Sequence, residues 1–244
     1  MNDFRSRIGL KPWPLLGPYR VLHDTDARLL FGLSPAVFPR PSDWPAHAHV
    51  TGYWLLDPPA DWTPPDGLAE FLESDPKPVY VSFGSMRSDD TRRPMELIAD
   101  ALARARQRAV IAGAPVHPLQ GNVTHAIMPV HFTPHSWLFP RTSAVVHHGG
   151  VDTTAAGLRA GVPSVVVPFL GGQHYWGGRV AELGVGPKPI RYRELTAEAL
   201  ADRIDRATSD SAMRLRAREV AGILAREDGV GKAVELICSR LARR

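Results

Sequence analysis

Cysteine is almost absent from this chain: Cys238 is the only one in 244 residues. A single thiol excludes an internal disulfide and any cysteine-rich zinc site. Long apolar runs are missing too. Nothing approaches the roughly 18 residues that a membrane-crossing helix needs, and no N-terminal stretch has the charged-then-apolar form of a signal peptide. A cytoplasmic location is the resulting expectation. Charge of one sign is also scarce: 29 Lys and Arg face 25 Asp and Glu, a formal +4. The excess is spread out, with no basic stripe and no nucleic-acid module, so no nucleic-acid partner is indicated. Ten histidines are present, but they form no recognisable ligand set, and neither a metal nor a cofactor is expected. The G-x-G-x-x-G and G-x-x-x-x-G-K-[ST] fingerprints are missing, which disfavours dinucleotide dehydrogenases and P-loop enzymes.

Proline is plentiful and unevenly placed. Thirteen of the 23 prolines and four tryptophans, Trp13, Trp44, Trp54 and Trp62, fall within residues 1–78. That region has short apolar runs, with strands expected at 29–31 and 49–55, but no long helical period. It reads as a piece that needs something to pack on. From residue 79 the pattern becomes regular. Short Val-rich runs, "VYVSF", "AVIAG", "VTHAIMPV", "SAVVHH" and "SVVVPF", alternate with helical segments. Buried runs of this kind, separated by helices, predict an α/β fold with a Rossmann-like parallel sheet covered on both faces. Three amphipathic helices follow. Thr196 is placed to cap the first, with Leu195 as its staple. Met213, Ala217, Val220 and Leu224 align on the second; Val230, Ala233, Val234, Ile237 and Leu241 align on the third. Cys238 sits on the apolar side of that third helix and is expected to be buried and inert.

In such sheets ligands sit beyond the carboxyl ends of the strands. Here those ends are "FGSM", "PVHFTPH", "HHGGVDT" and "PFLGGQH". Gly149 and Gly150 let backbone approach a ligand. The helix beginning near Thr153 offers free N–H groups to an anion, His148 can donate to a phosphoryl oxygen, and Gly84 with Ser85 forms a second small nest. Together these outline a diphosphate pocket. Each residue also has a plain reading: His148 capping backbone, Ser85 as a turn residue, Asp152 as an N-cap. His147 and His148 are adjacent on a strand end and point to opposite faces, so they are no chelating pair.

The stretches "VYVSFGSM", "PHSWLFP", "AVVHHGG…TTAAGLRAGVPSVVVPF", "GQHYWGGRVAELGVGPKPI" and "LTAEAL" resemble the C-terminal, donor-binding half of the two-domain GT-B glycosyltransferases. The branch is that of the sterol and lipid glucosyltransferases and the related antibiotic-modifying enzymes. "FGLSPAVFPRPSDWPAHAHVTGYWLLD" resembles the end of that family's N-terminal domain. The resemblance implies three regions: a remnant of the N-terminal domain at 1–60, a Pro-rich linker at 61–78, and a donor-binding domain at 79–244. It implies hexosyl transfer from a nucleotide-diphosphate sugar, UDP- or dTDP-linked with UDP-glucose as the default, to a lipid, sterol or natural-product hydroxyl. Carried over by motif, His148 contacts a donor phosphate, while Gly149, Gly150 and Thr153 line the diphosphate. Ser85 forms the opposite lip. Phe132, Thr133 and His135 face the nucleobase, and Gln173 reaches the sugar hydroxyls. No residue corresponds to the family's catalytic base, so no catalytic residue is assigned, and the chain alone is expected to show little or no transferase activity.

Three departures from the pattern bear on this. Asp152 stands in "HHGGVDTT" where a glycine is usual and places a carboxylate beside two phosphates. Gly172 stands in "GGQHYWG" where an aspartate would bind the sugar, with His174 in place of a proline. Most of the N-terminal domain has no counterpart, which implies a truncated chain or a separate acceptor-domain partner protein. A non-catalytic, nucleotide-binding auxiliary subunit is the second reading, and a degenerate remnant the third.

Overall fold

The computed structural model describes residues 2–14, 17, 28–83, 92–113 and 126–241. Ser85, Gly84 and the first residues of the 123–130 run lie outside them. Two compact units are present, one of Met1–Trp54 with Glu227–Arg244, the other Leu55–Arg226.

Among its described residues the larger unit holds five strands: β3 (Val79–Ser82), β4 (Ala109–Ala112), β5 (Ile127–Val130), β6 (Val145–His147) and β7 (Ser164–Val166). They form one all-parallel sheet in the order β5-β4-β3-β6-β7. The chain builds outward from β3 through β4 to β5, then crosses to the other side of β3 for β6 and β7. The carboxyl ends of β3 and β6 therefore flank the point where the winding reverses, which is where this kind of sheet opens a crevice. The helices are α2 (Leu68–Glu73), α3 (Arg92–Arg104), α4 (His135–Leu138), α5 (Val151–Ala160), α6 (Gly172–Glu182), α7 (Ala197–Ser209) and α8 (Ser211–Leu224).

Both sheet faces are covered, and the strand period of two sorts their side chains. Val79, Val81, Ile111, Val146 and Val165 pack with Ile98 and Leu102 of α3 and with Leu200 and Ile204 of α7. Tyr80, Val110 and Val145 point the other way, onto Leu68 and Leu72 of α2 and onto Leu138 and Phe139. Each such aliphatic side chain contributes about 1.5–3 kcal/mol on burial, so the sheet is pinned from both sides. Thr196 caps α7 as expected, its Oγ1 accepting from the Ala199 N–H at 3.1 Å, and Leu195 packs against the first of these cores. Met213, Ala217, Val220 and Leu224 form the buried face of α8.

The smaller unit contains α1 (Asn2–Arg7), strands β1 (Leu29–Phe31) and β2 (Ala48–Val50), and α9 (Gly229–Leu241). β1 and β2 pair in parallel; the second strand is shorter than the 49–55 expected from sequence. Two sequence expectations are corrected in α9. Cys238 is free and exposed. Ala233 is buried, whereas Val230, Val234 and Ile237, which share its apolar period, are each about half exposed. The periodicity of α9 is real, but within this unit its apolar stripe faces outward and carries Cys238 with it. The last helix also groups with the N-terminal residues rather than with the sheet, unlike the 79–244 partition expected from sequence.

Candidate functional site

The turn from β6 into α5 is built around two glycines with different duties. Gly149 has φ +88°, and a Cβ there would meet the Gln173 carbonyl oxygen at 2.8 Å and Val166 Cγ1 at 2.9 Å. It is glycine because the start of α6 presses against this turn. Gly150, the N-cap of α5, has an ordinary extended φ of −60°. A Cβ there would sit 2.7 Å from His148 Nε2, so the imidazole of His148 lies over Gly150 at the mouth of the helix.

No side chain caps α5. The Thr154 N–H is the first in the helical ladder, bonding to the Gly150 carbonyl at 2.9 Å, and Thr154 Oγ1 donates to the same oxygen at 2.8 Å. The N–H groups of Val151, Asp152 and Thr153 precede it, at the positive end of a ten-residue helix. Such an end favours an anion. The expectation that Asp152 acts as N-cap is corrected here: it occupies the first turn, exposed, and its carboxylate makes no cap bond.

His147 and His148 part company as the strand geometry requires. His147 is fully buried, its Nδ1 accepts the Gly149 N–H at 3.1 Å, and its Nε2 has no partner among the described residues. Burial first, and then the neighbouring His148 and His135, push its pKa down to about 3, so the ring is neutral. Burial also lowers the pKa of His148, whose Nδ1 is enclosed without a partner.

The residues following β5 form a second group. Phe132 is 74% exposed. Thr133 is buried with its hydroxyl unpartnered. His135 opens α4, stacks on Phe139 at 4.3 Å between ring centroids, and places Nε2 3.4 Å from the Tyr80 hydroxyl. Burial lowers the pKa of His135, and the charge of Asp152 partly offsets that. Asp152 is thus within electrostatic reach of the group. Phe132, Thr133 and His135 line a cleft of about 820 Å³ together with Tyr80, Ser82 and Ala156. The structure therefore brings Phe132, Thr133 and His135 together on one cleft, and His148, Gly149, Gly150, Asp152 and Thr153 together at the β6–α5 turn, with Asp152 the electrostatic link between the two groups. Ser85 is outside the described residues.

A search against protein-family profiles matches residues 96–229, more than half the chain, to "Erythromycin biosynthesis protein CIII-like, C-terminal domain". The chain belongs to this family. Among curated proteins it is 40% identical over 238 residues to the O-mycaminosyltylonolide 6-deoxyallosyltransferase of Streptomyces fradiae, covering 97% of this chain and 55% of the relative. It is 38% identical over 240 residues to a sterol 3-beta-glucosyltransferase of Arabidopsis thaliana, covering 96% of this chain and 38% of that protein. The chain thus spans about half, or less, of the length of these relatives. Among solved structures, the calicheamicin glycosyltransferase CalG4 shares the fold with a TM-score of 0.69 at 22% identity, covering 99% of this chain and 58% of that one. This chain holds a GT-B-type glycosyltransferase domain, related to the sterol, lipid and antibiotic branches, with a Rossmann-like parallel sheet flanked by helices.

Within this erythromycin CIII-like domain, two further positions fall at the start of α6. Gly172 faces open space: a Cβ there would meet nothing within 4 Å. Gln173 turns its carbonyl inward, where Oε1 accepts from the N–H groups of Phe169 at 2.8 Å and Leu170 at 3.2 Å. That oxygen is occupied in holding the loop, which leaves the amide NH2 as the group able to meet a ligand. Sequence reading alone misses this, because a glutamine's two ends are read alike. Among the described residues no three His, Cys, Asp or Glu side chains gather to hold a metal ion, and no helix is long and apolar enough to cross a membrane.

Proposed function

We propose that this chain is the donor-binding part of a glycosyltransferase that moves a hexosyl group from a nucleotide-diphosphate sugar to a lipid, sterol or natural-product hydroxyl. UDP-glucose is the default donor. The observation that carries this is the uncapped start of α5 beside His148, at the carboxyl edge of β6, next to the cleft that holds Phe132, Thr133 and His135. The sterol and 6-deoxyallosyl transferases among the relatives support the class of reaction.

In the proposed reaction the acceptor oxygen attacks the anomeric carbon, the bond from that carbon to the diphosphate breaks, and a base takes the hydroxyl proton. The chemistry asked of this chain is charge stabilisation on the leaving diphosphate. Main-chain N–H groups of Val151 and Thr153, the Thr153 hydroxyl and the His148 imidazole would share that charge. Phe132 would stack on the base. The donor-facing residues Ser85, Gly149, Gly150, Gly172 and Gln173 complete the proposed site. The acceptor and the base would come from a further domain, as part of the same protein or as a partner.

Calorimetry with UDP tests this. Wild-type chain should bind, and His148→Ala should weaken binding roughly ten- to hundredfold, the loss of one hydrogen bond to a charged group being worth about 1.5–3 kcal/mol. Binding that is unaltered by His148→Ala and Thr153→Ala would remove the β6–α5 turn as the phosphate site.

A further inference from the structure

The cleft beside Phe132 has a wall that the family resemblance does not assign. Leu55, Leu56, Asp57, Pro58 and Pro59 line it. This stretch directly precedes the segment read from sequence as a linker. Its shape is set locally. Pro58 and Pro59 fix their own φ, and Pro58 confines Asp57 to extended backbone. The Asp57 carboxylate then accepts from Arg159 of α5 at 3.3 Å, across 102 residues of sequence.

Arg159 and Ala156 of α5 also line the cleft. The ion pair therefore ties the strap to the same helix whose N-terminus is the proposed diphosphate site. Two large apolar side chains stand in water here: Leu56 is 91% exposed and Phe132 is 74% exposed. A flat, partly polar ring would cover both.

We propose that Leu55–Pro59 is a wall of the nucleoside cleft and that the Asp57–Arg159 pair is its positioning element, an inference that rests on the nucleotide reading above. The Asp57 side chain is 81% and the Arg159 side chain 41% exposed, so the pair adds little to global stability. Its effect should fall on ligands that enter the cleft and spare those that touch only the start of α5.

The test uses the 244-residue chain and three probes: UDP, uridine and inorganic pyrophosphate. Asp57→Asn and Arg159→Gln should each weaken UDP and uridine roughly two- to fivefold, the range of an exposed ion pair. Pyrophosphate affinity and the urea unfolding midpoint should stay unchanged. The charge-swapped pair Asp57→Arg with Arg159→Asp should recover UDP binding. Equal losses for pyrophosphate and UDP, or UDP binding unmoved in both single variants, would overturn the wall. Wild-type chain that binds pyrophosphate but gains nothing from the nucleoside would overturn it too and leave the diphosphate edge standing. Binding of none of the three would bring down both.

Discussion

Acidification from pH 7 to 5 should cost the larger unit about 2 kcal/mol through His147 alone. The ring is fully buried on β6 with a pKa near 3, whereas in the unfolded chain it titrates near 6.5. Between those values the unfolded state binds a proton that the folded state refuses, so stability rises with pH across that window and is lost as pH falls through it. The cause is burial of the imidazole, followed by the neighbouring His148 and His135, while its Nδ1 serves the Gly149 N–H. Urea unfolding at pH 7 and pH 5 reads the effect. Other groups add to the slope, so the comparison is with His147→Leu. That variant should begin less stable, having left the Gly149 N–H unpaired, but its pH dependence should be shallower by the same ~2 kcal/mol. Equal slopes in the two proteins would show that His147 accepts a proton where it stands.

Replacing Asp152 should tighten nucleotide binding. In the proposed site its carboxylate lies in the first turn of the helix that receives the diphosphate, makes no cap bond, and acts electrostatically on His135. Like charges at 4 Å repel by about 4 kcal/mol at an effective dielectric of 20. The side chain is exposed, and solvent reduces this severely, to an expected gain of roughly five- to tenfold in UDP affinity. Asp152→Asn should give most of what Asp152→Gly gives, because charge rather than bulk is responsible. The difference from wild type should shrink at high salt. Equal Kd values in all three proteins would mean that the carboxylate points away from the anion.

The fold was legible because burial on both faces leaves a strong trace. Val79, Val81, Val145, Val146 and Val165 can sit only in a covered parallel sheet, and the helices between them carry clear apolar stripes. The site edge was legible for a related reason: strand ends in such a sheet converge, so polar and glycine residues after β5, β6 and β7 had to meet. What escaped depends on three-dimensional approach. Gly149 looked like a ligand-facing glycine, but its immediate cause is the Gln173 backbone packed against it. Asp152 carried the composition of an N-cap, yet sits inside the helix, after the Gly150 cap. Cys238 followed an apolar period, and a period says which residues share a face without saying what covers that face. The strap at 55–59 was invisible because an ion pair between Asp57 and Arg159, 102 residues apart, leaves no pattern in the sequence. Trp137 packs edge-on to Trp62 and beneath Arg141.

Hydrogen–deuterium exchange of the whole chain, with and without saturating UDP, bears most directly on the donor site. Slowed exchange is expected at the amides of residues 148–155 and 131–136, with little change along α7 and α8. UDP that binds while leaving the start of α5 as fast to exchange as in the free protein would contradict a diphosphate held on that helix.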